Sequence, residues 1–206
     1  MRVRNATLGA VLLVAGMTGL AQADEPRQQA EPSPAEGAIR GMEEMMAQLA
    51  TPGEPHKHLQ QMAGNYKTIA TWTIPGVSQT VAPGETTDEG TAWFYPILGG
   101  RFVVQEFKSK YSGVPMEGFG VMGYDNAQKK FIGVWMDTMG TGMLRTEGTL
   151  DEETGVVTET GTMQTPAGAM KFKMTTKPTE NGFIFTLAQD LGETEQPIGR
   201  IEYIKQ

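Results

Sequence analysis

From residue 64 to the C-terminus, hydrophobic and polar positions alternate with a period of two, as in β-strands with two different faces. Ten such segments follow one another: 65–74, 87–97, 101–111, 116–124, 129–138, 142–150, 155–164, 169–177, 183–190 and 198–205. Because short turns separate them, each strand is expected to pair antiparallel with the one before it. A meander this long tends to close, since closure removes exposed strand edges. The pattern therefore predicts an all-β domain over 64–206, an antiparallel up-and-down β-barrel of about ten strands. A β-sandwich is the alternative.

Residues 37–63 have a helical period instead, which predicts two short helices before the barrel. The first covers 37–50, and its apolar positions fall on one side of the helix: Ile39, Met42, Met45, Met46 and Leu49. The second runs from about Pro55 to Ala63. We expect the Met-rich first helix to cover one end of the barrel. The alternative is an interaction protein that uses this helix to bind a partner, because methionine surfaces adapt to varied apolar ligands.

The N-terminus has the three parts of a secretory signal peptide over residues 1–23. Arg2 and Arg4 precede an apolar run from Leu8 to Leu20, and Ala21-Gln22-Ala23 forms a small-x-small cleavage site. The run is too short to span a bilayer comfortably. Residues 24–36 hold three prolines and almost nothing apolar, which predicts a disordered linker. We therefore expect an exported protein, periplasmic or secreted, with no membrane span after cleavage.

The composition narrows the chemistry that the chain can perform. There is no cysteine, so disulfides and thiolate nucleophiles are excluded, and a net charge of −7 disfavours nucleic acid as a partner. The two histidines, His56 and His58, are adjacent in the second helix but point in different directions, so helix capping or solvent exposure is preferred to metal binding. The methionines could bind Cu(I), although they also fill irregular cores. We predict no metal and no cofactor.

One face of the predicted sheet combines aromatic side chains with a few charged ones. Pairing the strands across their turns brings together Trp93, Phe102, Glu106, Trp135, Asp137, Arg145 and Glu147. Glycines at 118, 120 and 133 leave space around the Trp135 indole. Apolar walls with a few orienting polar groups are typical of a small-molecule pocket, so these residues are the predicted binding site for a small apolar or amphipathic molecule. A one-residue register error would exchange the faces.

Three alternatives to this site stay open. The charged residues could form a salt-bridge ladder on the outer face, worth little energy. Glu106 and Asp137 could instead act as the general acid and base of a hydrolase-type enzyme, although no nucleophile with a histidine base accompanies them. Both faces are unusually apolar, so the chain could also self-associate as a homodimer.

Several motifs resemble domain-of-unknown-function family 1579. They are His58-Leu59-x-x-Met62-Ala63-Gly64, Leu98-Gly99-Gly100-Arg101-Phe102-Val103, Glu117-Gly118-Phe119-Gly120, Gly123-Tyr124-Asp125-Asn126 and Trp135-Met136-Asp137-Thr138-Met139-Gly140-Thr141-Gly142. The resemblance covers about residues 42 to 205, with Tyr66 where such sequences commonly have tryptophan. It implies a lipocalin-like (calycin) barrel, in agreement with the meander, and leaves the activity open.

Overall fold

The computed structural model describes residues 33–74, 84–166 and 168–206. The predicted signal peptide (1–23) and residues 24–32 of the predicted linker lie outside the described residues. Arg40–Gln206 forms one compact unit, which contains most of the first helix and everything after it. In the unit that ends at Ile39, the backbone N–H of Ser33 donates to the Glu36 carboxylate at the start of the helix.

The described residues form two helices followed by ten strands. Helix α1 spans Pro34–Ala50 and α2 spans Glu54–Gln60. The strands are β1 (Gly64–Ile74), β2 (Gly84–Ile97), β3 (Phe102–Tyr111), β4 (Val114–Asp125), β5 (Lys130–Asp137), β6 (Leu144–Leu150), β7 (Val157–Thr165), β8 (Gly168–Thr179), β9 (Gly182–Asp190) and β10 (Glu195–Lys205). Each predicted segment corresponds to one strand. Helix α1 begins at Pro34 rather than at 37, because proline is well accepted in a first helical turn.

The strands form a closed barrel in which each pairs antiparallel with its neighbours in the chain. Strand β1 closes it: Tyr66 lies opposite Ala92 on β2 and opposite Lys205 on β10. The predicted up-and-down barrel is therefore confirmed over the β-sandwich. Closure gives every strand two neighbours, so the open edges of a meander are removed.

The core fills the inside of the barrel with every second residue of each strand. On β1 the inner residues Tyr66, Thr68, Ala70 and Trp72 are all buried. Aromatic rings dominate the end of the barrel where β1 begins. There Tyr66 makes edge contacts with Phe94 and Phe183 at centroid distances of 5.4 and 5.3 Å. Such pairs each contribute about 0.5–1.5 kcal/mol beyond the area they bury.

Helix α2 covers this aromatic end of the barrel. Leu59 is buried, and Gln60 Nε2 donates to the carbonyl oxygen of Gly100 at 3.0 Å. His56 is buried as well, and its Nδ1 accepts the backbone N–H of Gly53 at 3.0 Å, which caps the helix start. The interpretation of His56 as a capping residue is confirmed.

Helix α1 does not cover the barrel, so that prediction is wrong. Its apolar side chains stay in solvent, with Met42, Met45, Met46 and Leu49 between 49% and 62% exposed. The barrel instead forms hydrogen bonds with the C-terminal end of α1. Asn126 Nδ2 lies 2.9–3.2 Å from the carbonyl oxygens of Gln48, Leu49 and Thr51. The use of α1 as an interaction surface stays a prediction.

Candidate ligand-binding site

A cavity of about 400 Å³ lies between α2 and the inner wall of the barrel. We call it the mouth cavity. Its wall is mostly apolar and is formed by Leu59, Met62, Tyr66, Met122, Phe131, Val157 and Phe183. Exposed polar residues form its rim, among them Glu180, Asn181 and Lys205. A volume of this size is within the range of small-molecule sites.

A second, smaller cavity of about 140 Å³ lies deeper in the barrel. We call it the deep cavity. Its lining includes Gln105, Trp135, Met174, Phe185 and Tyr203. Glu159 and Met122 line both cavities, so they lie where the two adjoin. A ligand in the mouth cavity would therefore reach the Glu159 carboxylate.

Glu159 is an acidic side chain on the inner face of β7. Thr146, on the neighbouring strand, donates its hydroxyl to Glu159 Oε1 at 2.8 Å. Two glycines make room for this pair: a Cβ at Gly148 would lie 2.6 Å from Glu159 Cγ, and one at Gly133 would lie 2.6 Å from Thr146 Oγ1. Burial raises the pKa of Glu159, because a charged carboxylate is poorly solvated there.

On the walls of the two cavities, the titratable side chains other than Glu159 are His58, Tyr66 and Tyr203, and these three are neutral near pH 7. Burial lowers the pKa of His58, whose ring meets the edge of Phe131 at a centroid distance of 6.2 Å. Burial also raises the pKa of Tyr203 far above its usual value. The Tyr203 hydroxyl accepts a hydrogen bond from Gln105 Nε2 at 2.9 Å. Glu159 is therefore the group whose charge a ligand would change.

Trp135 is the predicted site residue that lines the deep cavity. It lies on the inner face of β5 opposite Gly120, and its Nε1 donates to Asp137 Oδ2 at 2.8 Å. A Cβ at Gly118 or at Gly120 would lie 2.2 or 3.1 Å from the indole, so the prediction that these glycines leave space for it is confirmed. Gly133 makes room for Thr146 instead.

The predicted site does not form one chamber, and that prediction is wrong. Trp135 and Asp137 lie on the inner side, whereas five others lie on the outer side: Trp93, Phe102, Glu106, Arg145 and Glu147. The cause is a one-residue error of register in two places. Met122 lies opposite Val103, so Phe102 points outward, and Trp135 lies opposite Leu144, so Arg145 points outward. A shift of one residue exchanges inside and outside.

The outer residues have local partners of their own. The rings of Trp93 and Tyr95 are in tilted contact at a centroid distance of 4.3 Å, and the Tyr95 hydroxyl donates to Glu106 Oε1 at 3.1 Å. Glu147 forms an ion pair with Lys130 at 2.8 Å. This is not the salt-bridge ladder considered as an alternative, because Asp137 lies on the inner face and Glu147 pairs with a residue outside the predicted set. Glu106 and Asp137 are on opposite faces, so the acid–base pair considered for a hydrolase is not formed. The homodimer stays a prediction.

Glu159 was not among the predicted site residues, although the pattern of β7 indicates it. One face of this strand carries Thr158, Thr160, Thr162 and Gln164, whereas the other carries Val157, Glu159, Gly161 and Met163. A single carboxylate on an otherwise apolar face is the pattern of a functional group inside a core.

Within the described residues, no group of three or more His, Asp or Glu side chains is arranged to hold a metal ion.

Comparison with protein families matches residues 51–203 to the family described as "Protein of unknown function (DUF1579)". The chain belongs to this family. In this DUF1579 protein, the matched range includes α2, Glu159 and the apolar walls of both cavities. Helix α1 and Lys205 lie outside the matched range. A comparison with curated proteins finds no match. Among the described residues, no helix has the length and apolar character needed to cross a membrane.

Proposed function

We propose that this protein binds a small apolar or amphipathic molecule inside its barrel, in the mouth cavity beneath α2. The observation that supports the proposal is the cavity itself, about 400 Å³ in volume, with apolar walls that meet the carboxylate of Glu159. Natural cores are packed with few voids larger than a water molecule. A concave space of this size with an apolar wall and a few polar groups is the usual form of a small-molecule site.

The polar groups are arranged to orient such a ligand. The apolar wall would contact its hydrocarbon part, and the exposed rim would remain in contact with solvent. Glu159 lies at the inner end of the mouth cavity and can hydrogen-bond to a polar group. Few polar groups on an apolar wall provide orientation, and the burial of apolar surface provides most of the affinity.

Two neighbouring threonines of β8 provide a test with a matched control. Thr176 lines the mouth cavity, whereas Thr175 faces outward, where its hydroxyl lies 2.6 Å from that of Thr186. Binding of the neutral fluorescent probe N-phenyl-1-naphthylamine is measured by titration. Thr176→Phe fills part of the cavity and should weaken probe binding at least about tenfold, as for other steric changes in apolar pockets. Thr175→Phe should bind like the wild type.

The same titration can refute the proposal. If the wild-type protein does not bind the probe or any alkyl ligand, the cavity is not a binding site. If both threonine variants weaken binding equally, the probe binds outside the barrel. An increase of the melting temperature with ligand concentration gives an independent measurement, because a ligand that binds the folded state stabilises it.

We also propose that the protein is exported before it acts. This second proposal is based on the sequence of residues 1–23 alone. Expression of the full chain in a Gram-negative host, followed by fractionation and mass spectrometry, tests this. The expected product begins at Asp24 and lies in the periplasmic fraction. An uncleaved chain in the cytoplasm would refute the proposal.

A further inference from the structure

The Glu159 carboxylate lacks a positively charged partner in the folded protein. Thr146 satisfies Oε1, and within residues 33–74, 84–166 and 168–206 no basic side chain forms an ion pair with it. A buried carboxylate of this kind is costly when it is charged, and most proteins pair it or replace it by an apolar residue. A carboxylate that lines a cavity can obtain its partner from a ligand.

The wall around this carboxylate suits a cation better than an anion. Tyr66, Phe131 and Phe183 place aromatic rings along the mouth cavity. The face of an aromatic ring carries negative charge, so it attracts ammonium groups and repels carboxylates. The Tyr66 ring already has a cation near it, since Lys205 Nζ lies 6.0 Å from its centroid at the rim.

The rim itself does not favour either sign of charge. Lys205 and Glu180 are both exposed there, one basic and one acidic. His58 adds no charge, because burial keeps it neutral. Solvent screens exposed charges, whereas a buried charge acts at nearly full strength. The preference of the site therefore depends on Glu159.

We infer that the ligand of the mouth cavity carries a basic nitrogen, and that its ammonium group pairs with the Glu159 carboxylate while its hydrocarbon part contacts the aromatic wall. This inference rests on the proposed function and specifies its ligand class. Alkylamines and arylalkylamines have the required chemistry: one cationic group at the end of an apolar body. Fatty acids, with the opposite charge, would place two carboxylates next to each other and are disfavoured.

The test compares three probes with the same hydrocarbon chain, each below its micelle-forming concentration: decylammonium chloride, 1-decanol and sodium decanoate. Binding to the full-length protein is measured at neutral pH by isothermal titration calorimetry. Decylammonium should bind at least about tenfold more tightly than decanol, because hydrogen bonds to charged groups in buried sites exceed neutral ones. Decanoate should bind more weakly than decanol.

Two variants, each lacking one negative charge, show whether the preference for a cation comes from the cavity or from the outer surface. Glu159→Gln keeps the shape and the acceptor for Thr146, and it should reduce the preference for decylammonium over decanol to less than about threefold. Glu147→Gln removes an equal charge from the outer face and should leave the preference unchanged. Far-UV circular dichroism verifies that both variants are folded.

The outcomes distinguish this inference from the proposed function. If all three probes bind equally, or if decanoate binds best, the ligand class is wrong although the cavity is a binding site. The same conclusion follows if Glu159→Gln retains the full preference for decylammonium. If none of the probes binds, the proposed function fails as well.

Discussion

Replacement of Gly118 by alanine tests whether the inner wall around Trp135 is as closely packed as the structure indicates. An ideal Cβ at position 118 would lie 2.2 Å from Cζ2 and 2.4 Å from Cη2 of the indole. Carbon atoms in contact are about 3.5–4.0 Å apart, so the ring must move by about 1.3 Å or more.

The energetic cost follows from this displacement. Overpacking a core costs about 1–3 kcal/mol. The movement also breaks the hydrogen bond from Trp135 Nε1 to Asp137, which is 2.8 Å long. Alanine offsets part of the loss, about 0.4–1 kcal/mol, because it reduces the conformational entropy of the unfolded chain. We therefore expect Gly118→Ala to lower the free energy of unfolding by about 2 kcal/mol.

Urea unfolding followed by far-UV circular dichroism measures this change. Gly142→Ala is the control, because no atom lies within 4 Å of its Cβ position and its φ is not in the left-handed region. By the same entropic argument, this control should be at least as stable as the wild type, with a gain of no more than about 1 kcal/mol. The near-UV signal of the indole should change in Gly118→Ala alone. If both variants unfold at the same urea concentration, the packing argument is wrong.

Three further predictions concern other parts of the barrel. The raised pKa of Glu159 means that the folded state holds its proton to higher pH than the unfolded state, so stability falls as pH rises from the unfolded value through the folded one. Glu159→Gln should remove this decline and make the ligand-free protein more stable at neutral pH, with no gain at low pH. Urea unfolding at a series of pH values measures the free energy of unfolding, and a pH profile equal to that of the wild type would contradict the prediction. Tyr203→Phe leaves the buried Gln105 amide without its acceptor and should cost about 1–3 kcal/mol in the same assay, whereas a neutral result would mean that the amide has another partner. Asn126→Ala removes the barrel's hydrogen bonds to the last turn of α1, so hydrogen exchange should become faster there and stay constant in β1; equal exchange in α1 would contradict the anchoring.

The barrel could be predicted because its signals are local. An alternation with period two requires only neighbouring residues, and turns such as Glu180-Asn181-Gly182 separate the strands within the sequence itself. Short connections then leave antiparallel pairing as the simple solution. Closure between β1 and β10 follows, since an open meander of ten strands would expose two edges.

The binding face could not be derived in the same way, because the central strands are apolar on both sides. On β3, Val103 and Val104 are both buried although they point to opposite faces. The hydrophobic pattern therefore did not determine which of them faces inward. A local signal was available at the following turn. Ser112 and Gly113 both have positive φ and form a two-residue hairpin, which places Tyr111 opposite Val114. That turn alone would have established the register of β3 and β4.

The loop between β5 and β6 gave no such signal. Residues 138–143 connect these strands through a longer loop than the two-residue turn between β3 and β4, so the number of residues outside the ladder cannot be read from their type. The register there depends on which side chains fill the barrel, and Leu144 is opposite Trp135 as a result. The inward position of Glu159, by contrast, could have been deduced, because polar and apolar residues alternate clearly along β7.

The amino-acid sequence determined the number of strands, their antiparallel order and the closure of the barrel, since each depends on short-range periodicity and turn chemistry. It also determined the helical nature of 37–50, whereas 34–36 had been assigned to the linker, and it did not determine the location of the helix relative to the core. The tertiary structure decided the register of β5 and β6, and with it the outward position of Arg145 and Glu147, and the existence of the cavities beside Glu159. These depend on how side chains from distant strands fill a shared volume, and packing of that kind is a property of the whole barrel rather than of any segment.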